Sequence, residues 1–115
     1  MVRDDLTDLS IAEAGRALRQ RRFSAVELAT AHLERIAQLN PAIAAFLEIA
    51  NDKALKAAKE ADAALARADD PSPLLGIPYA VKDNINVAGL VTTCHSRLTG
   101  GEPASEDAAV VARMA

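Results

Sequence analysis

A proline-containing loop at residues 69–73 divides this sequence into two parts of different character. The part before it is rich in alanine, lysine and glutamate, which are strong helix formers. The part after it holds four of the five glycines, an adjacent pair of threonines and the single cysteine. Glycine and proline mark turns, and short apolar runs between turns are typical of strands. The sequence therefore predicts an α/β chain, with a helical region at residues 1–70 and a mixed region at residues 74–115.

Two helix starts carry the same capping signature. Ser10 precedes Glu13 by three residues, and Ser24 stands in the same relation to Glu27. In this arrangement the serine hydroxyl accepts a hydrogen bond from a first-turn N–H, and the glutamate carboxylate accepts one from the serine's own N–H. We expect helices at residues 11–20, 25–39 and 52–68, and a last helix that begins after Ser105 or Asp107.

Two apolar runs are candidate strands. Pro41 disfavours helical dihedral angles at Asn40, so the second helix is expected to end there, and residues 44–49 that follow predict a short strand. Residues 79–81 form a second apolar run, entered through a proline, that is typical of a buried strand. In the last helix the residues expected to face inward are Ala108, Val111 and Met114.

The apolar half of the sequence is dominated by alanine. Of the 115 residues 26 are alanine, whereas there are two phenylalanines, one tyrosine and no tryptophan. Alanine buries little area, so the core that this chain can build by itself is thin. The third helix has an apolar stripe of Leu55, Ala58, Ala61 and Leu65, and its charges are expected to form a solvated outer face. We expect the isolated chain to be poorly folded or oligomeric.

Several classes of protein are excluded by composition. A net charge of −3 argues against a nucleic-acid binder held by phosphate contacts, which needs a basic surplus. No apolar run approaches the roughly 18–20 residues of a membrane span, and the polar, acidic N-terminus is unlike a signal peptide. One cysteine and two histidines give neither a disulfide framework nor a zinc motif. The expected location is the cytoplasm.

Lys82 is the candidate catalytic residue. It follows the apolar run at residues 79–81, and burial there would favour its neutral form, which can act as a general base. The neighbouring Asp83 and Asn84 would then orient groups or hold the turn by bonding local backbone. The structural alternative is that Lys82 extends its ammonium to solvent at a strand end and pairs with Asp83.

The segment at residues 92–96, Thr-Thr-Cys-His-Ser, contains a cysteine beside a histidine. Adjacent residues of an extended segment point to opposite faces, so an ion pair between Cys94 and His95 is not expected, and Cys94 reads as a small buried hydrophobe. Ser96 could bond backbone in a loop or line a pocket. His32 is expected to be a partly exposed helix residue. From the residues alone, the chain has a candidate base and no nucleophile.

Two motifs together resemble the amidase signature family. Residues 76–85 read Gly-Ile-Pro-Tyr-Ala-Val-Lys-Asp-Asn-Ile, and residues 88–96 read Ala-Gly-Leu-Val-Thr-Thr-Cys-His-Ser. That family carries a G-I-P-x-x-x-K-D-N segment followed at this distance by G-x-x-T-T-x-x-S. Residues 106–113 are similar to the family's next helix, and residues 6–10, 24–28 and 39–41 fit its usual opening, so the resemblance covers nearly the whole chain.

The resemblance implies a Ser–cis-Ser–Lys hydrolase of carboxamides. Its fold would be a single domain in which N-terminal helices lead into a mixed central sheet covered by helices, with the catalytic core beginning at residue 74. Lys82 would be the neutral base that takes a proton from a cis-linked serine, which in turn relays the proton of the nucleophilic serine. Thr92, Thr93 and Ser96 are the candidate substrate-binding residues. The implied partner is a small-molecule amide, with no metal, cofactor, membrane or direct nucleic-acid contact, and a homo-oligomer is allowed.

The sequence departs from the family at its end. The family's Gly/Ser-rich loop, which carries both serines and the oxyanion donors, would fall past Ala115. We therefore expect the N-terminal portion of an amidase, without turnover by itself. One alternative is the transamidating subunit that amidates mischarged glutamyl- or aspartyl-tRNA with partner subunits and ATP. The Thr-Thr-Cys-x-Ser form resembles that branch of the family. Residues 87–89, however, are just as typical of general amidases. The other alternative is a short, non-catalytic helical interaction module.

Overall fold

The computed structural model describes residues 3–67, 69 and 71–115, and these form two compact units. One unit extends to Pro78, and the other is Tyr79–Ala115. The first contains a 3-10 helix and three α-helices, and the second contains one short α-helix. The elements are the 3-10 helix Arg3–Asp8, α1 Ile11–Arg19, α2 Ala25–Ile43, α3 Asn51–Arg67 and α4 Ala109–Met114. The expected end of the third helix at Ala68 lies outside the described residues, as does Asp70 of the predicted loop.

The two capping boxes are formed as the sequence predicted. The hydroxyl of Ser10 accepts the N–H of Glu13 at 3.2 Å, and the Glu13 carboxylate accepts the Ser10 N–H at 2.9 Å. At the start of α2 the corresponding bonds join Ser24 and Glu27 at 3.0 and 2.8 Å. The Ser10 hydroxyl also donates to the Glu13 carboxylate at 2.7 Å. The bonds from the Ser10 hydroxyl and N–H hold the pKa of the Glu13 carboxyl below its ordinary value, and the hydroxyl has the largest effect.

The N-terminus of α2 has a third capping group that the sequence did not indicate. Asp62, on α3, accepts the N–H of Ala25 at 2.7 Å and that of Val26 at 3.2 Å. The first N–H groups of a helix have no partner within the helix, and a carboxylate there also interacts favourably with the helix dipole. The expectation that all charges of α3 form a solvated outer face is therefore wrong for Asp62, which is half-buried and fastens α3 to α2.

Helix α2 continues past Asn40, contrary to the prediction. It includes Pro41 and ends at Ile43, where Ala44 takes a left-handed conformation with φ 48° and donates its N–H to the Asn40 carbonyl at 2.7 Å. The Asn40 side chain bonds both backbone groups of Phe46, at 3.0 and 2.8 Å. Those are the groups that a strand would use in its ladder, and the predicted strand at residues 44–49 is a loop in the structure.

The core of the first unit is built largely from alanine, as composition indicated. Among the described residues, seven of the eleven side chains in the buried cluster are alanine, and Leu28 is the one large side chain that is fully buried. The predicted stripe of α3 is confirmed, since Ala58 and Ala61 are buried and Leu55 and Leu65 pack against the cluster. Contacts of α2 with α3 and with the 3-10 helix enclose this core.

Gly76 is a close-packed position of the first unit. Its φ is +85°, and a Cβ atom there would lie 3.1 Å from the Leu18 side chain and 3.2 Å from Ala25. A side chain at this site would therefore meet both an unfavourable backbone conformation and a crowded core. The first residue of the Gly-Ile-Pro motif consequently has a packing role.

The second unit contains turns in place of the predicted sheet. Among its described residues the pairing is limited to two isolated bridges, Ala88 with Ala104 and Val91 with Pro103, and no strand of a mixed sheet is formed. The predicted buried strand at residues 79–81 is an unpaired loop segment in the structure, with Tyr79 47 % exposed. A strand needs a partner for its backbone groups, and the described residues supply none to this segment.

Long-range bonds replace the sheet in this unit. The Ala104 backbone accepts the Gly89 N–H and donates to the Leu90 carbonyl, both at 2.9 Å. Asp107 accepts the N–H of Ala88 at 2.7 Å instead of capping the last helix. Helix α4 begins after Ala108 without a side-chain cap.

The inward face predicted for α4 is only partly correct. Val111 is buried and Ala108 is half-buried, but Met114 is 40 % exposed. None of the described helices is long and apolar enough to cross a membrane.

Candidate functional site

Lys82 directly follows the unpaired segment at residues 79–81 and is exposed. Its carbonyl accepts the Ile85 N–H at 3.0 Å, which closes a turn around Asp83 and Asn84. Among the described residues no carboxylate lies within ion-pair distance of its ammonium group. The burial expected for Lys82 is therefore not found in this structure, and the alternative ion pair with Asp83 is not found either.

Asp83 instead binds the second motif segment. Its carboxylate accepts the N–H of Thr93 at 2.8 Å and also the Thr93 hydroxyl, while its carbonyl accepts the N–H of Cys94 at 2.9 Å. These bonds hold the pKa of the Asp83 carboxyl below its ordinary value, and the Thr93 hydroxyl has the largest effect. The Lys-Asp-Asn segment and the Thr-Thr segment are thus tied together through one side chain.

Residues 93–96 form a tight turn. The Thr93 carbonyl accepts the Ser96 N–H at 2.9 Å and the Thr99 hydroxyl at 2.8 Å. Cys94 and His95 have φ values of 48° and 54°, in the left-handed region. The extended geometry expected for these two residues is therefore wrong, and so is the burial of Cys94, whose thiol is free and exposed.

The candidate substrate-binding residues occupy different surroundings. Thr92 is half-buried and lines an open hollow together with Asn86 and residues 100–106. Ser96 is exposed, and its hydroxyl accepts the N–H of Leu98 at 3.1 Å. The Thr93 hydroxyl is already bonded to Asp83, and it also accepts the His95 N–H at 3.0 Å. The structure therefore brings Thr93 and Ser96 into one turn beside Asp83, with Thr92 on its edge.

Metal-binding groups and the second histidine of the described residues are the remaining candidates. Within the described residues no set of three or more His, Cys, Asp or Glu side chains is arranged to hold a metal ion. His32 is half-buried on α2, as expected, and burial is the main cause that lowers the pKa of its imidazole, with the nearby Arg35 adding to it.

The tie from Asp83 to Thr93 is the feature that the sequence did not reveal. A bonding role for Asp83 was expected, but within its own turn. The partner lies ten residues away, and no spacing rule links a turn aspartate to a distant threonine. The same holds for Asp62, whose partners on α2 are 36 and 37 residues away.

Comparison with known proteins identifies the family. The model of the Amidase family matches residues 27–115, so the chain belongs to the amidase signature family, as its two motifs indicated. Both motifs lie inside the matched range, and so does every candidate site residue.

Similar proteins among the curated relatives are named as the A subunit of glutamyl-tRNA(Gln) amidotransferase. The one from Azoarcus sp. (strain BH72) is 45 % identical over 109 residues, which is 95 % of this chain and 22 % of the relative. That from Symbiobacterium thermophilum is 44 % identical over 107 residues, 92 % of this chain and 22 % of the relative. That from Carboxydothermus hydrogenoformans is 38 % identical over 110 residues, 96 % of this chain and 23 % of the relative. The chain spans less than a quarter of the length of these relatives.

Proposed function

We propose that this protein cleaves the C–N bond of a carboxamide and that Lys82 is its general base. Membership of the amidase signature family supports amide chemistry. The observation that carries the assignment is the place of Lys82 in the Lys-Asp-Asn segment, next to the aspartate that binds the Thr-Thr segment. The two motifs that define the family are therefore in contact through the residue next to this lysine.

The proposed reaction needs the neutral amine of Lys82. The amine accepts a proton from a cis-linked serine, which takes the proton of the nucleophilic serine as it attacks the amide carbonyl. Backbone N–H groups stabilise the oxyanion, and the protonated Lys82 returns the proton through the cis-linked serine to the leaving nitrogen, which departs as ammonia or an amine. Water then releases the acyl group. No Gly/Ser-rich stretch that could carry these serines occurs in the 115 residues, so the proposal assigns them to residues outside this sequence.

The substrate side of the site is assigned to Thr92, Thr93 and Ser96. Thr92 lines the open hollow, and Ser96 has an exposed hydroxyl. Thr93 has a hydroxyl engaged by Asp83, so its backbone groups and methyl are the parts that remain for a substrate. The class of substrate that suits this set is a small, neutral carboxamide.

A second candidate is the A-type component of a tRNA-dependent amidotransferase. The observation in its favour is the name shared by the similar relatives, which are 38 to 45 % identical over more than nine-tenths of the chain. In that function the same Lys82 chemistry would release ammonia from an amide donor, and partner subunits and ATP would be required. A general amidase would act on simple carboxamides without them.

Ammonia release by the protein at its native length tests these proposals. The protein is purified with any tightly bound partner and supplied with propanamide or with L-glutamine, each with and without ATP and mischarged glutamyl-tRNA. Turnover of propanamide alone supports the general amidase, whereas glutamine turnover that rises with ATP and the tRNA supports the amidotransferase. Release of ammonia in neither case would contradict both, and would favour the interaction module.

Variants of Lys82 test its role. Lys82→Ala is expected to lower kcat by about 100-fold or more, because general-base catalysis contributes 10²–10⁴-fold. Lys82→Arg is not expected to restore the rate, since a guanidinium stays protonated. Lys59→Ala, which removes an exposed lysine on α3, is the matched control and should keep the wild-type rate. Wild-type turnover in either Lys82 variant would contradict the assignment.

A further inference from the structure

Three bonds join Asp83 to two consecutive residues that lie ten and eleven positions further along the chain. Both carboxylate oxygens accept from Thr93, and the Asp83 carbonyl accepts the Cys94 N–H at 2.9 Å. Thr93 is half-buried, and its hydroxyl and N–H are both used in this contact. Two turns, one after Lys82 and one at residues 93–96, are therefore fixed to each other by a single acidic residue.

The backbone of Lys82 lies directly beside this contact. Lys82 directly precedes Asp83, and its carbonyl closes the turn by accepting the Ile85 N–H at 3.0 Å. Restraining Asp83 therefore restrains the Cα–Cβ direction of Lys82, from which the long side chain extends. A base that must meet a serine within hydrogen-bond distance depends on that direction.

The contact also determines which groups interact with the Asp83 carboxylate. A carboxylate beside a lysine would ordinarily be its ion-pair partner, and an ion pair favours the ammonium form, which cannot accept a proton. Here two donors from Thr93 occupy the carboxylate, and no ion pair joins Asp83 to Lys82 among the described residues. The Thr93 hydroxyl thus keeps the neighbouring acid away from the base.

We infer that Asp83 and Thr93 are positioning residues of the amide-cleaving reaction. Together they orient Lys82 and prevent the Asp83 carboxylate from pairing with it. Neither residue touches the reacting atoms; Thr93 acts through Asp83, and Asp83 acts through Lys82. This inference rests on the proposed function, because it assigns to the two residues the support of the Lys82 base.

The test compares four variants in the protein at its native length, with kcat expressed per titrated active site. Thr93→Val removes the hydroxyl at nearly constant shape, and Asp83→Asn removes the charge. Each is expected to lower kcat by about ten- to a hundredfold with little change in KM, as a misplaced catalytic group does. Thr93→Ser keeps the hydroxyl and should restore most of the rate. The double variant should lose no more than the poorer single variant, because both changes break one contact.

Asp107→Asn is the matched control, because Asp107 also accepts a backbone N–H in the same unit, but its bond is to Ala88 and not to Thr93 or Cys94. It should keep kcat and KM. Hydrogen exchange of the Thr93 and Cys94 amides should become faster in Thr93→Val and Asp83→Asn but not in Thr93→Ser or Asp107→Asn.

Several results would overturn the inference. A wild-type kcat in Thr93→Val or Asp83→Asn, a rate in Thr93→Ser as low as in Thr93→Val, or losses that multiply in the double variant would each do so. The Lys82→Ala variant distinguishes these results from failure of the proposed function. If Lys82→Ala keeps its rate, both proposals are wrong. If Lys82→Ala is inactive and the Asp83 and Thr93 variants are unimpaired, this inference alone is wrong.

Discussion

The helical unit that extends to Pro78 and the unit Tyr79–Ala115 are stabilised by different interactions. The first encloses a cluster of buried apolar side chains, and the starts of α1 and α2 are closed by side-chain caps. In the second, Val111 is the one buried apolar side chain among the described residues, whereas Tyr79, Val81, Leu98, Val110 and Met114 are exposed. Backbone bonds and the Asp83 and Asp107 carboxylates hold its turns. Packing thus dominates one unit, and polar contacts dominate the other.

The largest expected effect on stability is at Leu28. Its side chain is 1 % exposed at the centre of the first unit. Leu28→Ala should lower the free energy of unfolding by about 2–5 kcal/mol, the usual range for a buried leucine truncated to alanine. Leu98→Ala, at a position 96 % exposed in the second unit, should leave it almost unchanged. Denaturant unfolding, monitored by hydrogen exchange, measures the free energy of unfolding of both variants. Equal losses in the two variants would contradict the contrast between the units.

Gly76 gives the next largest expected effect. Gly76→Ala places a Cβ 3.1 Å from Leu18 at a φ of +85°, and should cost about 1–3 kcal/mol, as a strained residue does. Gly89 has a similar φ of +83° with open space around it, so Gly89→Ala isolates the backbone part of the cost. Gly100→Ala, where nothing lies within 4 Å, is the control and should be nearly neutral. A Gly76→Ala protein as stable as wild type would show that this packing is not required.

Asp62 tests the contact between α3 and α2. Asp62→Ala leaves the N–H groups of Ala25 and Val26 without their carboxylate and should cost about 0.5–2 kcal/mol, the usual range for a lost helix cap. The matched change on the same helix is Glu60→Gln, which loses only an exposed ion pair with Lys56 at 3.9 Å and should have little effect. Thermal unfolding measures the stability of the two variants. A loss of stability in Glu60→Gln as large as in Asp62→Ala would contradict the capping role.

The smallest expected effect is a loss of stabilisation at acidic pH. It can be compared at one carboxylate in each unit. Hydrogen bonds from Ser10 and from Thr93 lower the pKa values of Glu13 and Asp83 respectively. A lowered pKa in the folded state means that the stabilisation is complete above the ordinary carboxyl pKa and is lost as the pH falls through the folded value. The bond to the Asp83 carboxylate slows hydrogen exchange of the Thr93 amide, and this protection should therefore be lost in strong acid.

Carboxyl resonances followed by NMR provide the check. Ser10→Ala should raise the pKa of Glu13, and Thr93→Val should raise that of Asp83, each without effect on the other group. An Asp83 pKa unaltered by Thr93→Val would mean that the hydroxyl is not its main partner.

Local signals in the sequence were reliable where the interacting residues are close in the chain. Ser10 and Glu13 are three residues apart, so their bonds follow from spacing, and the helix after them begins where expected. The stripe of α3 follows from helical periodicity in the same way. The end of α2 was mispredicted because the bonds of Asn40 to Phe46 and Ala44 support a last turn containing Pro41, which propensity alone disfavours.

Long-range pairing set the limit of prediction in the second unit. A strand at residues 79–81 requires a partner, and the described residues contain none, so this apolar segment is unpaired and exposed. The burial predicted for Lys82 depended on that strand and failed with it. The motifs nevertheless identified the family, and the structure adds the contact between them through Asp83 and Thr93.

Chemical rescue of Lys82→Ala is the most direct test of Lys82 as the base. The variant, at its native length, is assayed for amide cleavage with and without added methylamine over a range of pH. The account predicts a strongly impaired enzyme whose rate rises with the concentration of neutral methylamine, while wild type and Lys59→Ala do not respond. Wild-type turnover by Lys82→Ala without any added amine would contradict the account.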